Sequence, residues 1–429
     1  MKELNRIQGF FDEAFETRPR EERLKFHDHQ LVEIVKHAYA KCQAFRERLS
    51  AANLTPNDIK GTFDLARIPI FHKDELIELQ ERNPPFGALL GVPEDEVSWI
   101  FMSPGPIFDF VVATDENRER AMARAFYSCG FRKSDKVLNT WSYHMVPMGM
   151  WNDLALRYLG CTVIPTGTGN TELQVQILKR LKATGFVGTT GFLMSVLRKA
   201  EEMKLDPRKD LNLQVAMVGG EAAGGPMRRL FEEEYRIISG DYYGTADVGL
   251  IAYECREKSG MHLNENIIVE IVDPETGESL LPGKAGEVVV TSFNRAYPLI
   301  RFGTGDLSMT GIEYCPCGRT SVRLIRILGR IGDAVRIRGM FVHLRQSEQV
   351  MAAFPEISAF QIVVSRPEYQ DHLKLRIQLK EGSVGSDILK RSLSERFREL
   401  CRVSPDEIIF LSPGELLDKK KIIVDERTY

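Results

Sequence analysis

The chain has 429 residues, 43% hydrophobic and 27% charged, the balance of a globular protein of two or three domains. A formal net charge of −3 gives no electrostatic footing for nucleic acid or an anionic membrane surface. No run reaches the roughly 18–20 apolar residues of a membrane span.

The charged opening, "MKELNRIQGFFDEAFETRPREERL", has the character of neither a signal nor a transit peptide. Seven scattered cysteines suit a reducing compartment, so the expected location is cytoplasmic. Residues 31–49, "LVEIVKHAYAKCQAFRERL", carry apolar positions at helical spacing and predict a helical region. From about residue 97 short apolar strands take over. The first, with Val97, Trp99, Ile100 and Phe101, runs into the loop Ser103-Pro104-Gly105-Pro106. Four β-α units follow: "KVLNTWS" before "MWNDLALRYLG", "CTVIPT" before "ELQVQILKRLKA", "GFVGTT" before "FLMSVLRKAEEM", and "LQVAMVGGE" before "PMRRLFEEEY". Units of this kind predict an α/β fold, a parallel sheet with helices on both faces. Ligands in such sheets bind beyond the carboxyl ends of the strands.

Between about 250 and 332 the segments become strand-rich: "GLIAYEC", "NIIVEIVD", "GEVVVTSF" and "SVRLIRILGR". The turn "DPETGE" has hairpin chemistry. After Gly332 a strand "AVRIRGMFV", a helix "RQSEQVMAAF", strands "AFQIVVS" and "LKLRIQLKE", a helix "SDILKRSLSERFRELC" and a strand "EIIFLS" make a small α+β module. The predicted domains are 1–332, with its β-rich part at about 250–332, and 333–429.

Several of these loops carry residues with chemical potential. In "SGDYYGTADVGL", Tyr243 can offer an aromatic face to a base and Asp247 can hold a cation; two packed tyrosines before a glycine turn are the plainer reading. Asp306, after Gly-Thr-Gly, can accept two ribose hydroxyls, or simply close a turn. Gly219 and Gly220 after a buried strand admit a ligand close to the backbone, with Glu221 at the mouth. "PTGTGN" reads as a βα loop, since it lacks the third glycine of a dinucleotide fingerprint. His144 follows an aromatic at a strand end; it lines a pocket or is structural. Cys255, His262, Cys315 and Cys317 form a Cys3His set suited to a closed, structural zinc site, or remain buried free thiols. The closing "DKKKIIVDERTY" reads by itself as a solvated basic face.

Together these segments resemble the phenylacetate–CoA ligase family of AMP-forming acyl-adenylate synthetases, over nearly the whole chain. The similarity runs through "AFRERLSAANLTPNDIKGTFDLARIPIFHKDEL", "GCTVIPTGTGNTELQVQILKRLKATGFVGTTGFL", "ECREKSGMHLNENIIVEIVDPETGE" and "EYCPCGRT". It implies a large N-terminal domain and a small mobile C-terminal α+β domain. It also implies activation of an aromatic or related carboxylic acid by ATP, as acyl-AMP, and transfer to CoA. By position, Gly220, Glu221 and Ala222 match the adenine-side loop. Tyr243, Gly244, Thr245 and Asp247 match the Tyr-Gly-x-Thr-Glu motif, with Asp247 in the Mg2+ position. Asp306 matches the ribose-binding aspartate, Arg330 the arginine beside a hinge at Gly332-Asp333, and Lys419 the C-terminal adenylation lysine. Tyr143 and His144 occupy acid-pocket positions, and the Cys3His set transfers as zinc ligands. The family suggests a homodimer.

The family's Ser/Thr/Gly-rich phosphate loop is replaced here by "MSPGPIFDF". Ser103 and Gly105 persist, Pro104 and Pro106 offer no N–H, the lysine is gone and Asp109 adds a negative charge. Two missing donors to a charged group weaken pyrophosphate binding by about 3–6 kcal/mol. Ala246 stands for the motif's threonine and Asp247 for its glutamate. The AMP half of the site is therefore expected to be kept and the pyrophosphate half weakened. The alternatives are an ATP-independent acyl transferase and a non-catalytic paralogue that binds AMP or an acyl group.

Overall fold

The computed structural model describes residues 6–103, 107–113, 115–220, 225–274, 276–331, 334–338, 340–367, 370–412, 414–416 and 422–427. The chain divides into two compact units, Met1–Ile331 and Gly332–Tyr429.

In the first unit the helical opening is two helices, Arg20–Lys41 and Gln43–Ala51, because Cys42 takes an extended backbone between them. The expected strand ending in a loop is instead a β-hairpin. Strands β1 (Val97–Ser103) and β2 (Ile107–Val112) pair antiparallel as a separate two-stranded sheet, with Ser103 opposite Ile107. Three residues join them, among them Gly105, which lies outside the described residues.

The βα repeats fold as their pattern requires. Strands β3 (Lys136–Asn139), β4 (Thr162–Pro165), β5 (Gly185–Gly188), β6 (Val215–Gly219) and β7 (Ile238–Thr245) lie parallel in the order β4-β3-β5-β6-β7. Alternate side chains serve opposite cores, as a period of two dictates. Val137, Val187, Val215 and Met217 face the helices Glu116–Cys129 and Met148–Leu159. Leu138, Phe186, Ala216 and Val218 face Thr171–Leu181 and Thr190–Glu202. Three of these helices start on a side chain that accepts a backbone N–H: Asp115, Asn170 and Thr189.

The strand-rich stretch extends this same sheet. Strand β8 (Gly249–Glu254) returns antiparallel on β7, followed by β9 (Met261–Leu263), β10 (Ile267–Val272), β11 (Gly286–Ser292), β12 (Phe302–Gly311) and β13 (Arg323–Arg330). The described strands give one eleven-stranded sheet, β10-β11-β12-β13-β9-β8-β7-β6-β5-β3-β4.

In the second unit, the single strand expected over 334–342 is a hairpin, β14 (Ala334–Ile337) and β15 (Met340–His343). Arg338, at φ +49°, turns the chain there. Strands β16 (Ile357–Ser365), β17 (His372–Leu379) and β18 (Glu407–Leu411) pack with helices Leu344–Ala352 and Asp387–Cys401 around one core. The closing basic stretch also contributes a strand, β19 (Ile423–Asp425), parallel to β16. Among the described residues, no helix is long and apolar enough to cross a membrane.

Candidate active site

Strands β6 and β7 run side by side and end at Gly219 and Thr245, so their carboxyl ends open on one edge. Gly220 follows β6 at φ +77°, a conformation that favours glycine. Glu221 and Ala222, next in the chain, lie outside the described residues. Gly244 is required by space, since a Cβ there would meet the Gly249 carbonyl at 2.4 Å. Thr245 caps the following turn, its Oγ1 accepting from the Val248 N–H at 3.3 Å.

Three of the expected nucleotide residues meet. The Tyr243 hydroxyl donates to Asp306 Oδ2 at 2.7 Å, and Arg330 Nε donates to Asp306 Oδ1 at 2.7 Å. Gly305, at φ +73°, lets β12 turn its backbone N–H to Glu287 Oε1, 3.0 Å away, immediately before Asp306. Burial first, then the Asp306 charge, hold the Tyr243 hydroxyl well above its ordinary value, so it stays a donor. Asp306 is therefore paired on both oxygens, each of which keeps a further lone pair able to accept a hydrogen bond.

Asp247 is held by a residue to which the sequence reading assigned no role. Lys73 Nζ lies 3.3 Å from Asp247 Oδ2, from a position 174 residues earlier. Asp109 is the second surprise. It is 2% exposed on β2 rather than presented to solvent. Burial, then the neighbouring Asp247 carboxylate, push it up to about 8. At neutral pH the isolated carboxyl is therefore mostly protonated, and the negative charge expected of it is largely withheld. Ser103 is also buried; its hydroxyl lies beside Asp109 and offsets a little of this shift, without a well-aligned hydrogen bond.

The acid-pocket candidates lie on the loop after β3. Tyr143 is exposed; its hydroxyl accepts from Asn139 Nδ2 at 2.7 Å and donates to Asp153 Oδ2 at 3.2 Å. His144 is exposed, its backbone N–H on Ser142 Oγ. The loop is tied to the hairpin by the Met102 N–H, which donates to the Met145 carbonyl at 2.7 Å. Lys419 lies outside the described residues.

The four metal candidates converge. One ligand atom from each of Cys255, His262, Cys315 and Cys317 lies within 4.8 Å of the others, and all four residues are buried. Cys255 Sγ is 3.6 Å from Cys315 Sγ, and Cys317 Sγ is 3.4 Å from His262 Nε2. Bonds of about 2.3 Å to sulfur and 2.0–2.1 Å to nitrogen in a tetrahedron put ligand atoms about 3.5–3.8 Å apart. The donor set fits zinc. His262 Nδ1 meets Ser321 Oγ at 3.2 Å, a partner that orients the ring. His262 pairs with Arg323, seven residues along β13 from Arg330, a separation of about 20 Å at strand rise. The set is remote from the residues expected to bind the nucleotide.

The family model "AMP-binding enzyme" matches residues 111–296. The phenylacetate–coenzyme A ligase of Thermus thermophilus is 31% identical over 399 residues, covering 90% of this chain and 88% of that protein. The chain belongs to the phenylacetate–coenzyme A ligase family. The ligase of the same name from Pseudomonas putida is 30% identical, covering 82% of this chain and 81% of its own length. Among solved structures, 2-hydroxyisobutyryl-CoA ligase in complex with its acyl-AMP and CoA, in the thioesterification state, superposes with a TM-score of 0.89 at 26% identity. That likeness covers 96% of this chain and 92% of the other. The chain is an AMP-forming acid–CoA ligase of this family, with ATP or AMP, CoA and a carboxylic acid as its small molecules.

Proposed function

We propose that the chain activates an aromatic or related carboxylic acid at the carboxyl ends of β6 and β7 and passes the acyl group to CoA. In the first step a carboxylate oxygen attacks the α-phosphorus of ATP and pyrophosphate leaves, giving acyl-AMP. In the second the CoA thiolate attacks the acyl carbon and AMP leaves, giving the thioester. The chemistry is mostly positioning and charge stabilisation.

The observation that carries this reading is the Asp306 carboxylate, gripped by Tyr243 and Arg330 beside the strand ends. Asp306 is assigned to the ribose hydroxyls, the Tyr243 ring and the 220–222 loop to adenine, and Arg330 to holding Asp306 and the nearby phosphate charge. Tyr143 and His144 are assigned to the acid side. Lys419, in the second unit, is assigned by the family resemblance to charge stabilisation during adenylation. Mg2+, held at Asp247, neutralises phosphate charge when bound. Zinc in the Cys3His set is structural, as four protein ligands leave no open position. The seven free cysteines favour a cytoplasmic setting, and the family favours a homodimer.

The test is thioester formation with ATP, CoA and a panel of aryl and short alkyl acids. AMP released in proportion to thioester supports the reading. Thioester formed only from a supplied acyl-adenylate, never from ATP, moves the function to ATP-independent acyl transfer.

A further inference from the structure

The Asp306 carboxylate stands on a break in the ladder between β11 and β12. Glu287 faces Leu307 and Val289 faces Gly303, so Val288 alone opposes Thr304, Gly305 and Asp306. A bulge bends its strand, re-aims a side chain and leaves backbone groups outside the ladder. Here those groups find partners nearby. The Gly305 N–H donates to Glu287 Oε1 at 3.0 Å, and the Gly305 carbonyl accepts from the Ile331 N–H at 2.6 Å. The Asp306 N–H donates to Thr304 Oγ1 at 3.1 Å, and that hydroxyl donates to the Val288 carbonyl at 2.9 Å. Glu287 reaches across from the neighbouring strand.

The fold makes room for that carboxylate. Glu287 is 2% exposed, and a Cβ on Gly303 would meet Glu287 Oε1 at 2.6 Å and His72 Nδ1 at 2.7 Å. The other edge of the same stretch is held by backbone. The Phe71 N–H donates to the Arg301 carbonyl and the Gly303 N–H to the Phe71 carbonyl, both at 2.9 Å. This places His72 Nδ1 3.7 Å from Glu287 Oε1. A buried carboxylate is costly unless it is hydrogen-bonded, and this one accepts the N–H immediately before Asp306. We propose that Glu287 is a positioning residue: its carboxylate pins the bulge that presents Asp306, and so sets how strongly the protein discriminates the sugar of its nucleotide. The part played by the sugar rests on the ligase reading above; the pin itself does not.

The experiment compares the full, zinc-replete chain with Glu287→Met, which keeps volume and loses the acceptor, and Glu287→Gln, which keeps an acceptor. One readout needs no ligand: amide hydrogen exchange over residues 302–311. The other is binding of AMP against dideoxy-AMP, which lacks both ribose hydroxyls. Exchange over 302–311 should quicken about tenfold in Glu287→Met and stay near wild type in Glu287→Gln. Wild type should prefer AMP by about tenfold or more, Glu287→Met should lose most of that preference, and Glu287→Gln should keep it. Unchanged exchange in Glu287→Met overturns the pin. Weaker AMP binding in Glu287→Met with the preference intact marks a merely structural role and overturns the positioning. Wild type that binds both nucleotides equally overturns the ribose assignment of Asp306, and faster exchange in Glu287→Met would still uphold the pin.

Discussion

The Tyr243 hydroxyl reaches Asp306 at 2.7 Å although β13, β9 and β8 lie between their strands in the hydrogen-bonded order. The contact requires the sheet to curl back on itself. β13 allows this, because its described pairing with β9 is confined to Arg323 and Leu324, while Asp306 pairs with Arg330. The residues proposed for adenine and for ribose are thus joined by one hydrogen bond.

That bond has a measurable value. Tyr243→Phe keeps the ring and removes the donor to a charged acceptor, about 1.5 kcal/mol, so AMP should bind about tenfold more weakly. Arg330 still holds the carboxylate, so the fold should survive. Isothermal titration with AMP checks this, and unchanged affinity would detach Tyr243 from the nucleotide site. Asp306→Asn should go further, lowering kcat/KM for ATP about 100-fold as about 3 kcal/mol of charged hydrogen bonding is lost.

Zinc should support the fold rather than the chemistry. Cys315→Ser breaks a four-ligand set about 20 Å along β13 from Arg330. It should lower bound zinc to a small fraction of one per chain and the unfolding temperature by several degrees. AMP affinity of the folded fraction should hardly change. Elemental analysis with calorimetry reads both; a wild-type chain purified without zinc that takes none up would remove the site.

The N-terminal helix should confer a pH dependence through His27. Its Nε2–H donates to the Glu265 carbonyl at 3.0 Å, and burial holds the imidazole below its ordinary value. The folded state therefore binds the proton less readily than the unfolded state. The stabilisation is present above the unfolded value near 6.5 and is lost as pH falls toward the depressed folded value. Wild type should lose more stability than His27→Gln between pH 7 and 5 in denaturant titrations. Parallel curves would contradict this.

Much of the fold was legible because its signals are local. Alternation within "KVLN" and "VAMVG" sends neighbouring residues to opposite faces, and caps such as Asn170 mark helix starts. Tyr243, Asp306 and Arg330, which the structure brings together, were singled out by order and motif. What local pattern cannot carry is long-range pairing. Lys73 meets Asp247 across 174 residues, and only its place in "FHKDEL" could have marked it. The curl that unites β7 with β12 leaves no periodic trace, and neither does the burial of Asp109. The hairpin β14–β15 was missed because a positive φ in its turn falls on Arg338, a residue that carries no turn signal of its own.

Acid-dependent exchange of pyrophosphate into ATP is the most direct test of the central claim, that this site makes acyl-AMP. With Mg2+ and zinc-replete protein, exchange should appear with at least one aryl or short alkyl acid and fall about 100-fold or more in Lys419→Ala, which removes the proposed adenylation charge. No exchange with any acid, from protein that still binds AMP, would contradict it.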